Sequence, residues 1–183
     1  NGKPTVNALY GDSIAINTGD LLLGQGYKLL TQCKQNALVA DIANAHIRLC
    51  KGQGMELSWT ANPSDISLDF VLDIFANKTA PAFEVSLTLA LICAEQGGST
   101  LRETLCEYSR ALGIAYQIND DICDYKSDNE DSHRPSAPLA LHTEHPEWSK
   151  DDVLKEMERL AEEYHLSALN ALGKVDNLEL KRL

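Results

Sequence analysis

The stretch GIAYQINDDICDY, residues 113–125, places Asp120, Asp121 and Asp124 at what reads as the C-terminal end of a helix. At about 100° per residue, Gly113, Gln117 and these aspartates fall within one arc of roughly 100°, with Arg110 one turn earlier. Around the remaining perimeter Ala111, Leu112, Ile114, Ala115, Tyr116, Ile118, Ile122 and Cys123 form a face fit for burial, with Asn119 as the exception. Carboxylates near a helix C-terminus oppose the macrodipole, each at a cost of a few tenths to about 1 kcal/mol. No lysine pairs with them at helical spacing.

Such a cluster asks for positive charge. Oxygen ligands at i, i+1 and i+4 suit a hard cation, and Mg²⁺ commonly uses one or two carboxylates completed by water and phosphate oxygens. An EF-hand is ruled out, because the aspartates lie in a helical pattern without the D-x-D-x-D-G spacing. By spacing alone a solvated acidic stripe and a cation site both remain open.

The elements that must position these groups read as helices throughout. Apolar residues recur at three- and four-residue intervals, which predicts segments near 12–32, 36–58, 67–77, 82–96, 100–126 and 149–172, with a helical tail after Lys174. Thr100 with Glu103 and Ser149 with Asp152 have capping-box spacing, and Gly97-Gly98 should close the helix before the first pair. Pro81 cannot continue a helix, so a break is predicted near Lys78 and Thr79. Residues 126–148 carry three of the six prolines and read as a loop with at most a short helix around Leu139.

Composition narrows the classes. A formal charge of -11 argues against nucleic acid as the main partner. No apolar run reaches the roughly 20 residues of a membrane span, so the chain reads as soluble. Five cysteines, none in a C-x-x-C pair, favour neither disulfides nor zinc, and point to a reducing cytoplasm. The start at Asn1 reads as the middle of a turn and the end as part of an amphipathic pattern, so the chain is expected to be a fragment.

Gly113-x-x-x-Gln117-x-x-Asp120-Asp121-x-x-Asp124 resembles the second aspartate-rich motif of the trans-polyprenyl diphosphate synthases. The resemblance continues in the family's order along the chain. Gly2-Lys3-Pro4-Thr5-Val6 is similar to the segment after that family's first aspartate-rich motif, and Gly19-Asp20-x-Leu22 to its next helix. Gly52-Gln53-x-x-Glu56 resembles a glycine-glutamine motif that usually ends in Asp, and Lys78-Thr79 a lysine-threonine pair at a helix break.

The resemblance implies an all-α isoprenoid-synthase bundle around a central cavity, here a single domain over 1–183 lacking its N-terminal helices, and a cytoplasmic homodimer. It implies Mg²⁺-assisted ionisation of an allylic prenyl diphosphate, attack by isopentenyl diphosphate, and proton loss. By the same resemblance Asp120, Asp121 and Asp124 are metal ligands, Lys78, Thr79 and Gln117 catalytic, and Lys78, Gln117, Gln53, Glu56 and Arg134 substrate-binding. Without it, Lys78-Thr79 is an ordinary helix end, with Thr79 capping the next helix.

Two departures qualify these expectations. The first aspartate-rich motif is absent, Asp151-Asp152 being followed by Val153, Leu154 and Lys155, so the chain alone is expected to be inactive. After Asp124 the family's glycine-lysine elements are replaced by Lys126 and by Arg134-Pro135-Ser136-Ala137-Pro138-Leu139, with Arg134 where lysine is usual. A non-catalytic subunit of a heteromeric prenyl synthase is the alternative reading, and a terpene cyclase a remoter one. His142 and His145 read as a solvent-exposed pair, His46 and His165 as structural, and the helix after Asp151 as a solvated outer face.

Overall fold

The computed structural model describes residues 3–32, 37–94, 98–127 and 133–175, which contain helices and no strand. The chain divides into two compact units, Asn1–Ala40 and Asp41–Leu183.

In the first unit, α1 (Val6–Tyr10) is capped by Thr5, whose hydroxyl accepts from the Ala8 N–H at 3.1 Å. Gly11 then takes a φ of 84°, in the left-handed region that glycine enters freely, and turns the chain into α2 (Asp12–Leu30). The short α1 was not read from the sequence: at five residues it has no periodicity to detect. The turn expected at the start falls partly on Asn1 and Gly2, outside the described residues.

The second unit is built from α3 (Ala37–Ala61) after its first four residues, α4 (Leu68–Lys78), α5 (Ala80–Cys93), α6 (Ser99–Lys126), α7 (Ala137–Glu144) and α8 (Lys150–Gly173). Ser67 starts α4 by accepting from the Phe70 N–H, and Glu144 at the end of α7 accepts from Leu68 N–H at 2.8 Å. The Ser149–Asp152 capping box that starts α8 is formed as expected. The Thr100–Glu103 box is not: α6 begins one residue earlier, with Gly98 at the cap and no side-chain cap bond. Gly97 and the tail after Val175 lie outside the described residues.

One core ties α4, α6, α7 and α8 together. Val71, Ile74 and Phe75 of α4 meet Ile114, Ile118, Ile122 and Tyr125 of α6, Leu141 of α7, and Val153, Met157 and Leu160 of α8. The expected inward face of α6 is largely correct, but Tyr116 is 57% exposed and Cys123 is exposed as well. Phe83 of α5 meets the Tyr116 ring edge-on at 6.4 Å between centroids but leaves most of that edge of α6 open, so residue type misled there. On α8, Arg159 reaches Glu156 and Glu163 one turn either side, the solvated face expected of it.

Candidate active site

The site begins at the α4–α5 break. Pro81 is the second residue of α5 and has no N–H to offer the Asn77 carbonyl, so the helix stops at Lys78 and restarts at Ala80. Thr79 makes no side-chain cap bond, which removes the capping alternative for its hydroxyl. Two glycines hold the break from opposite helices. A Cβ on Gly52 of α3 would lie 2.7 Å from the Lys78 nitrogen, and one on Gly113 of α6 would lie 2.7 Å from the Ala80 Cα. Backbone approach this close requires glycine at both places. Arg48 of α3 adds a hydrogen bond to the Ala76 carbonyl at 3.4 Å and an ion pair to Glu84.

These contacts fix the cationic part of the site. Lys78 Nζ donates to Glu56 Oε2 at 2.7 Å, both side chains being partly buried. Gln53 lies one turn before Glu56 on α3, and Gln117 one turn after Gly113 on α6; each is half-buried.

The aspartates, by contrast, separate. Asp120 is exposed and Asp124 partly exposed, whereas Asp121 is turned into the protein at 2% exposure. Asp121 Oδ2 accepts from the Ala137 N–H at 2.7 Å, the first residue of α7, and so serves as a cap from another helix where Ser136 supplies none. Arg134 Nη2 lies 3.3 Å from Asp121 Oδ1 and 3.1 Å from Asp124 Oδ2. Burial pushes the Asp121 carboxyl up to about 6, against the opposing pull of the Ala137 N–H and of Arg134.

Thus Asp121 does not share one outward stripe with Asp120 and Asp124. Among the described residues no three His, Cys, Asp or Glu side chains converge as a ready metal shell. The donor set still fits Mg²⁺, which needs only one or two carboxylates. A guanidinium between Asp121 and Asp124 shows that a cation is accommodated there.

Further residues bind the acidic helix end to the core. Tyr125 hydroxyl and His142 Nε2 are 2.8 Å apart, and Lys150 lies 4.9 Å over the Tyr125 ring. His145 stacks on Trp148 with centroids 4.0 Å apart. His142 is therefore packed against Tyr125, because α7 forms, while His145, stacked on Trp148, keeps a side chain 40% exposed as the sequence suggests. The Ala137 amide was missed by sequence reasoning. Its only sequence signal is Pro138, a residue favoured in a helix's first turn, which marks where α7 starts but not what caps it.

The all-helical arrangement with a lysine at a helix break and an acidic helix end is what the isoprenoid-synthase resemblance implies. The polyprenyl synthetase family model matches residues 1–138, and the chain belongs to that family. A short chain isoprenyl diphosphate synthase of Methanocaldococcus jannaschii is 29% identical over 138 residues, 73% of this chain and 41% of that protein. A (2E,6E)-farnesyl diphosphate synthase of Mycobacterium bovis is 32% identical over 66% of the chain and 34% of the relative. A decaprenyl diphosphate synthase structure from Rhodobacter capsulatus superposes with a TM-score of 0.82 at 22% identity, covering 99% of this chain and 67% of that one. The chain therefore spans about half or less of the curated relatives it matches first. No helix among the described residues is long and apolar enough to cross a membrane.

Proposed function

We propose that this chain carries the leaving-group half of a prenyl-transfer site, in which an allylic prenyl diphosphate condenses with isopentenyl diphosphate. The observation that supports it best is the seating of Gly52 and Gly113 on either side of the α4–α5 break. Gly52 and Gly113 set the α3 turn that carries Gln53 and Glu56, and the α6 turn that leads to Gln117, against the backbone from Asn77 to Ala80, with Asp120 and Asp124 roughly 10 to 16 Å further along α6.

The hard step is departure of diphosphate from the allylic carbon, so the site must stabilise charge growing on the leaving oxygens. Asp120 and Asp124, with Asp121 behind them, would hold Mg²⁺, which when bound supplies Lewis-acid stabilisation of that charge. Lys78 adds a fixed positive charge, held in place by Glu56 at 2.7 Å. Gln117 orients a phosphate oxygen or water. The Thr79 hydroxyl, without a cap bond, and carbonyls at the break face the carbon that becomes cationic. Gln53 and Arg134 contact substrate at the margins. The same reading includes a homodimer, Mg²⁺ as cofactor, and no elongation by the 183-residue chain alone.

The test is incubation of the intact protein with Mg²⁺, labelled isopentenyl diphosphate and allylic donors of several lengths. Elongation that Asp120→Ala abolishes is expected. Absence of elongation, or its persistence in Asp120→Ala, overturns the reading, and stimulation of an active partner instead would mark a non-catalytic subunit.

A further inference from the structure

Arg134 makes an unusual use of one nitrogen. Its Nη2 reaches a carboxylate oxygen on Asp121 at 3.3 Å and another on Asp124 at 3.1 Å. Asp121 Oδ2 is meanwhile engaged by the Ala137 N–H at 2.7 Å. The two ligands of Asp121 therefore sit on different oxygens, and removing Arg134 leaves the bond to α7 intact. Asp124 is different: its side chain is 40% exposed, among the described residues no backbone N–H reaches its carboxylate, and Arg134 pairs with it at 3.1 Å.

We propose that Arg134 is the resident counter-ion of the acidic end of α6. It bridges Asp121 and Asp124 while no divalent cation is bound, must leave Asp124 for such a cation to bind there, and on leaving becomes available to an anionic ligand. The second half of this proposal rests on the diphosphate reading given above. The first half needs only electrostatics. Two carboxylates that reach one guanidinium favour a cation between them, a guanidinium and a divalent ion repel each other at the same oxygens, and the partly exposed Arg134 pair is weak enough to exchange.

The anchoring limits how Arg134 can move. Pro135 is buried and Ser136 leads directly into α7, so the chain after Arg134 is fixed and its side chain does the swinging. Loading a cation and presenting a guanidinium to an anion thereby become one event.

Titration of the intact protein with Mn²⁺ in the absence of any diphosphate, with free Mn²⁺ followed by electron paramagnetic resonance, tests this directly. Arg134→Gln is expected to bind Mn²⁺ about fivefold more tightly than the parent, the size of one partly exposed ion pair removed. Arg134→Lys, which keeps a charge on a flexible stem, should fall between the two. Unchanged or weaker binding in Arg134→Gln overturns the counter-ion proposal. Asp124→Asn separates the two readings. Loss of Mn²⁺ binding in it, with no gain in Arg134→Gln, sinks the counter-ion and spares the metal site, whereas parental binding in Asp124→Asn removes both.

Discussion

Gly52 of α3 lies directly against the backbone of Lys78, where an added Cβ would come within 2.7 Å of the Lys78 nitrogen and 2.8 Å of the Asn77 carbonyl carbon. Backbone atoms cannot yield as a flexible side chain would, so Gly52→Ala is expected to destabilise by roughly 1–3 kcal/mol. Gly54, two residues on, has open space around its Cβ position. Gly54→Ala should be neutral or should stabilise α3 by up to about 1 kcal/mol. Urea unfolding of the two variants gives the contrast, and equal effects would contradict the seating of α3 on the break.

Asp121 predicts a pH dependence with a definite sign. Its carboxyl titrates at about 6 in the folded chain against an ordinary 3.8, so the folded state holds the proton more tightly than the unfolded one. The associated stability is complete below about pH 4, is lost as pH rises to about 6, and costs up to about 3 kcal/mol at neutral pH. Chemical denaturation in chelator should show stability falling across that window, and Asp121→Asn should flatten it. Added Mg²⁺ should reduce the slope, because a nearby cation favours the ionised form.

Lys78 and Glu56 form a partly buried pair at 2.7 Å. Removing the lysine should cost only about 1 kcal/mol of stability. If Lys78 faces the departing diphosphate, Lys78→Ala lowers kcat of the intact protein on the order of 10²-fold. Lys78→Arg should recover part of the rate. A large loss of stability with unchanged kcat would assign the pair a structural role.

Two caps that look alike in sequence should behave differently. Ser149 accepts from Asp152 N–H and its partner Asp152 returns the bond, so Ser149→Ala is expected to cost about 1 kcal/mol. Thr100 is inside α6, past the Gly98 cap, and Thr100→Ala should change stability by less than about 0.5 kcal/mol. Thermal unfolding of the two variants separates the cases.

Much of this was legible in the residues. The periodicity of 3.6 gave six of the helical stretches to within a few residues, and Pro81 placed the break at Lys78-Thr79 because a missing N–H is a local fact. The short helix near Leu139 and the capping box at Ser149 were likewise local. The α6 cap was missed because Thr100–Glu103 has the right spacing two residues past the actual cap, Gly98.

The sequence by itself determined that this chain is helical, where its helices stop, and that three carboxylates end α6. What only the tertiary structure decided is how those carboxylates divide. Asp121 points inward because α7, 16 residues further along, brings an unsatisfied amide to it, while Asp120 stays exposed and Asp124 is shared with Arg134. Helical spacing sets the angle of a side chain around its own axis. Whether that angle faces water, an amide or a guanidinium depends on neighbours that pack from elsewhere in the chain.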